Sequence, residues 1–311
     1  YPLIALWLAA RLLRIPFPDH PLALPLAAAF ALLLAWQVVP RFRAARQWRN
    51  KSTGPLILTL CLLPLCWLLL MLIWHRWPGL AASIDLDLSR LMHAGVLCLL
   101  LLMSFIGGRL IAPAAAITLE QQGIEPRARL QPRLEGALII LLGLAIVALL
   151  VPILPDSYSY PLAGGALLAT GMVLLVRNIR WQLWRCGSRP DLLGFGMGYL
   201  WLALGSLATG LAFVGQRPAV SALHLITVGG LGTLSTSVML RLYFQRGFKT
   251  PPVTGWVLWT VGLIAVAVVC RFMAGDTPLA RPVLLSLSAG SWAVAYLSLA
   301  VLMVRLGWRL K

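Results

Sequence analysis

PLILTLCLLPLCWLLLMLIW, residues 55–74, runs for twenty positions without a charged side chain. That is the length an α-helix needs to cross about 30 Å of hydrocarbon at about 1.5 Å per residue. Such a helix satisfies its own backbone amides, which a hydrocarbon solvent demands and water does not. Lys51 precedes the run and Arg76 follows it. On either side the pattern recurs near 1–14, 21–39, 91–113, 136–154, 159–177, 192–214, 219–243, 254–273 and 280–306. The prediction is an all-α, polytopic transmembrane helical bundle of about ten helices, a single membrane domain over residues 1–311, with a candidate break at Gly107-Gly108 ending the fourth helix.

Composition excludes the alternatives. Sixty percent of the residues are hydrophobic, 11% are charged, and the mean hydropathy is +0.88; soluble domains carry about 25% charged residues. The formal charge of +17 comes from 26 Lys and Arg against 9 Asp and Glu. In a soluble chain this would point to nucleic acid. Here the basic residues form short clusters between apolar runs, with no stripe along a polar helix, so the partner is the lipid bilayer and not nucleic acid. The five cysteines show no CxxC or CxxCH spacing, which argues against c-type haem, zinc and a disulfide framework, and they read as small buried apolar residues. The chain opens at Tyr1 inside an apolar stretch, with no initiator Met and no basic-then-apolar signal region, and this reading expects a trimmed N-terminus.

Orientation follows from alternate connections. One set holds 19 of the Lys and Arg residues, beginning with Arg41, Arg43, Arg46, Arg49 and Lys51, and the opposite set holds 7, including Arg76, Arg217 and Arg271. The positive-inside rule places the richer set in the cytoplasm. The longest connection, from Ile111 to Glu135, reads as a cytoplasmic surface segment, and 76–90, with Asp85 and Asp87, as a short interfacial helix outside. All acidic residues are expected in loops, none within a span.

The same topology puts all four histidines, His20, His75, His93 and His224, toward the outer face. Imidazole at that depth can ligate haem iron or copper, with Met92 beside His93 as a soft donor. An interfacial histidine also commonly serves only to hydrogen-bond. The segment after His224 is poor in bulk: Gly229, Gly230, Gly232 and Thr233 are followed by Ser235, Thr236 and Ser237. Small residues at that density serve close helix packing or leave a slot for a flat ligand, with Gly205, Thr209 and Gly210 as an opposing wall. Arg109 reads as a helix-end cap meeting lipid phosphate, or as a gate. Pro64 and Pro113 are weak cues to discontinuous helices. There is no catalytic acid/base pair, Ser-His-Asp set or phosphate loop. Cofactor binding, a small-solute permease or channel, and an assembly factor without cofactor therefore all stay open.

Three stretches together resemble the NnrS family of bacterial membrane proteins. They are Ala45-Arg46-Gln47-Trp48-Arg49-Asn50, Phe105-Ile106-Gly107-Gly108-Arg109-Leu110-Ile111-Ala112-Pro113, and the run from His224 to Arg241, with Gly198-Tyr199-Leu200-Trp201-Leu202 upstream. The His-Leu-x-Thr-Val-Gly-x-x-Gly run ending in Val-Met-x-Arg at Arg241 is the specific part. The resemblance implies a twelve-helix, multi-pass inner-membrane protein containing haem b and copper, tied to nitric oxide stress and denitrification, with a small gaseous ligand. It makes His224 the cofactor and metal ligand candidate, joined by His75; His93, beside Met92, stays a cofactor-binding candidate from its depth alone. It also implies two helices before Tyr1. Gly196 and Arg246 stand where family members usually carry histidine, so the implied ligand set is reduced.

Overall fold

The structure is a computed structural model describing residues 2–16, 22–44, 53–76, 88–126, 131–151, 154–275 and 279–309. Among them no β-strand occurs. The helices are α1 (Pro2–Arg14), α2 (Ala23–Arg43), α3 (Thr53–Arg76), α4 (Leu88–Gln121), α5 (Pro132–Leu150), α6 (Asp156–Arg180), α7 (Pro190–Val214), α8 (220–247), α9 (Thr254–Met273) and α10 (Arg281–Arg309). A single 3₁₀ turn, Leu183–Arg185, joins α6 to α7. The ten runs read from the sequence correspond one to one with these helices. Seven, α4 to α10, are long and apolar enough to cross a membrane, and α1 to α3 carry shorter apolar stretches, Leu3–Leu13, Pro25–Arg41 and Leu58–Leu70. The chain is a membrane protein. The segments 45–50 and 77–87, including the expected outer interfacial helix, lie outside the described residues.

The fourth helix corrects one expectation. It does not break at Gly107-Gly108, nor does a surface segment begin at Ile111: the helix runs 34 residues to Gln121, about 51 Å at the α-helical rise. Pro113 removes one backbone bond, but its ring is exposed while Ile111, Ala115 and Leu119, four apart on one face, are buried. That continuous buried face outweighs the missing bond. The helix ends where Gly123 adopts φ +73°, with Ile124 N–H donating to Leu119 O (2.9 Å) and Gly123 N–H to Glu120 O (3.0 Å). This pair of bonds satisfies the last carbonyls, and the left-handed conformation suits glycine.

Two compact units emerge, residues 1–102 with 149–153, and residues 103–148 with 154–311. In the first, α2 presents Ala31, Ala35 and Val39 to Cys61 of α3. In the second, α6 meets α7 almost backbone to backbone: a Cβ built on Gly164 would lie 2.8 Å from the Gly210 carbonyl, and one on Gly210 2.8 Å from that of Gly164. Lipid is as apolar as leucine, so close van der Waals approach between small residues replaces the hydrophobic effect as the force holding helices together. At the other edge α9 and α10 pair, with Ser288 Oγ donating to Ala267 O at 2.7 Å.

Candidate functional site

His224 closes the first α-helical turns of α8, Val220–His224, and a π-helical stretch, Leu225–Gly230, follows before the α-helix resumes at Leu231. A π turn inserts an extra residue and widens the helix, a geometry that recurs at functional positions. The His224 side chain is half-buried.

The glycines after it do not leave an open slot. A Cβ on Gly229 would lie 2.9 Å from the Trp201 ring, one on Gly230 would collide with Leu202 Cδ2, and one on Gly232 would come within 3.2 Å of Ile264. The thin face of α8 is thus filled by α7 and α9. Thr233 is fully buried, and its Oγ1 makes no hydrogen bond. Of the expected opposing wall, Gly205 does face α8, against Ile226, whereas Gly210 turns to α6. Thr209 is buried on α7 with its Oγ1 unbonded.

His75 and His93 belong to the first unit. His93 is half-buried near the start of α4, beside Met92, which is 64% exposed. The His75 side chain and all of His20 lie outside the described residues. Among the described residues no three His, Cys, Asp or Glu side chains gather as a metal site. The five cysteines are free thiols, with Cys61, Cys98 and Cys186 buried and Cys66 exposed.

The densest polar constellation is at the opposite end of α8, where the expectation of loop-bound acids fails. Glu135, in the first turn of α5, is 6% exposed and Asp191, in the first turn of α7, is fully buried. Both sit where a helix dipole favours negative charge. Arg177, one turn before the end of α6, is 1% exposed; its Nη2 donates to Glu135 Oε1 at 2.8 Å and its Nη1 to Ser104 O at 3.1 Å. Tyr199 Oη donates to the same Ser104 carbonyl and accepts from Arg177 Nη1 at 3.4 Å. Trp181 packs edge-on against Tyr199, ring centroids 4.7 Å apart. Four helices, α4 to α7, are therefore pinned to one buried ion pair.

Gly107 and Gly108 take their meaning from this cluster. A side chain on Gly107 would meet the Tyr199 ring, and one on Gly108 would occupy the Arg177 guanidinium. Arg109, next to them, is half-buried with its guanidinium 3.9 Å over the ring of Phe105, one turn back. Neither Arg177 nor Glu135 stood out in the sequence, because each lies at the end of an apolar run, where charge normally means an exposed connection. The available signal was an arginine and a glutamate of opposite sign at the same end of adjacent spans.

Arg241 belongs to a second cluster. Arg189 grips Asp191 with two bonds, Nε to Oδ1 at 3.0 Å and Nη2 to Oδ2 at 2.9 Å, and Arg241 Nη1 stands 3.6 Å from Oδ2. Those hydrogen bonds hold the Arg189 guanidinium above its usual pKa, and burial pushes the nearby Cys186 thiol up. Gln122 Nε2 donates to Ser188 Oγ at 3.2 Å, tying the far end of α4 to the connection that carries Cys186 and Arg189.

No curated protein and no solved structure matches this sequence. The family model described as NnrS protein matches residues 1–310. With an all-α membrane fold and the His224 to Arg241 motif folded as one span, the chain belongs to the NnrS family.

Proposed function

We propose that this NnrS-family protein is a multi-pass inner-membrane protein of nitric oxide stress and denitrification that binds haem b through His224, with its basic connections in the cytoplasm. The observation that carries the reading is the setting of His224: half-buried at an α-to-π junction, and the one titratable side chain between Val220 and Leu240. Ionisable groups within a span are costly and commonly functional. A ring nitrogen there suits axial ligation of iron. Haem, when bound, supplies an iron atom that takes a diatomic gas. The chain's own part is to present the imidazole and to hold α8 firmly behind it through the glycine contacts with α7 and α9.

The described residues fit one imidazole ligand. They do not fit a planar group laid on the glycine face, which Trp201, Leu202 and Ile264 occupy, nor a copper ion held by three clustered donors. His75 and His93 are the remaining ligand candidates. Binding, rather than turnover, is the activity proposed. The test is the absorption spectrum of the purified chain: a Soret band that vanishes in His224→Ala is expected, and a colourless wild-type protein would sink the proposal.

A second reading, a cofactor-free permease or channel for small solutes, draws on the buried Arg177–Glu135 pair, because charge inside a span often marks a solute or proton path. A colourless protein that moves solute across reconstituted vesicles would favour it.

A further inference from the structure

The cluster on Asp191 is not balanced. Both carboxylate oxygens already accept hydrogen bonds from Arg189, so Arg241 comes second: its Nη1 is 3.6 Å from Oδ2, an ion-pair distance too long for a hydrogen bond, and this buried nitrogen makes none. The Phe195 ring backs the guanidinium, with its centroid 5.8 Å from Cζ. Two guanidinium groups against one carboxylate leave one positive charge unmatched, in surroundings where an unsatisfied charged donor is expensive. One turn deeper on the same face of α8, Ser237 is 1% exposed and its buried hydroxyl also makes no hydrogen bond. It faces Gly194 of α7, where a Cβ would lie 2.7 Å from Ser237 Oγ. The first turn of α7 adds the positive end of a 25-residue helix. Arg241 retains 18% side-chain exposure, so the site opens to the bundle's end.

We propose that Arg241 and Ser237 form a binding site for one phosphate group in the seam between α7 and α8. The guanidinium fork matches phosphate oxygens two at a time, and the hydroxyl donates a further bond. The group comes from an anionic phospholipid headgroup at the membrane surface or from free phosphate; both present the same oxygens.

Native mass spectrometry of the full chain in detergent distinguishes these sources, with phosphatidylglycerol, phosphatidylcholine and inorganic phosphate as separate probes. Retention of phosphatidylglycerol about tenfold above phosphatidylcholine identifies a headgroup site, and saturable binding of inorganic phosphate identifies the free anion. In either case binding should fall about tenfold in Arg241→Gln and about threefold in Ser237→Ala, and stay unchanged in Arg185→Gln, an exposed arginine outside the cluster. Arg241→Lys keeps the charge beside Asp191 but loses the fork; it should bind about threefold more weakly and serves if the glutamine variant does not fold. Equal retention of the two lipids with no saturable phosphate binding, or unchanged binding in the Arg241 variants, overturns the proposal.

Discussion

At Arg177 a full positive charge is removed from solvent, and its 2.8 Å contact with Glu135 makes that arrangement tolerable. Taking either ion out of water costs several kcal/mol, which their mutual attraction and the extra bonds to Ser104 and Tyr199 must offset. Removing one partner strands the other. Arg177→Met or Glu135→Leu alone should therefore destabilise the protein by about 3–5 kcal/mol, whereas the double substitution should recover most of the loss. Thermal unfolding of the purified variants checks this, and additive effects of the two substitutions would rule out the pair as drawn. Tyr199 and Gly108 share the arrangement, since the tyrosine hydroxyl and the guanidinium meet at one carbonyl and the glycine leaves the guanidinium its space.

Among the helices, glycine has two distinct uses, and the sequence alone does not separate them. Gly230 lies against Leu202 on α7, while Gly262 of α9 has nothing within 4 Å of where its Cβ would be. Gly230→Ala should force α7 and α8 apart and cost about 1–3 kcal/mol, as overpacking does. Gly262→Ala should be neutral or gain up to about 1 kcal/mol from helix propensity. Thermal unfolding of the two variants measures the contrast, and equal effects would show that the seam is looser than described. The same logic explains α4, where Pro113, a weak cue to a discontinuous helix, is exposed and leaves the buried face unbroken. The π-helical stretch had no advance signature beyond its glycines, since helix width depends on what packs alongside.

For the whole molecule the open quantity is orientation, and the arginine bias predicts it. Arg180 and Arg217, both exposed, close opposite ends of the hairpin formed by α6 and α7. In a cysteine-free background, a membrane-impermeant maleimide should label Arg217→Cys from outside intact cells, and Arg180→Cys only after permeabilisation; the reverse pattern would invert the proposed topology. Among the described residues, the apolar helices, their order and the position of His224 near one end of its span were legible from residues alone. Hydrocarbon as solvent leaves few choices: each run of about twenty apolar residues must become a helix, whatever its neighbours. What the glycines face, which charges are buried and which arginine is left with unmatched charge depended on tertiary contact. Glu135 and Arg177 are 42 positions apart, and their pairing exists only because adjacent helices bring the same ends together in a medium that makes an unpaired charge untenable.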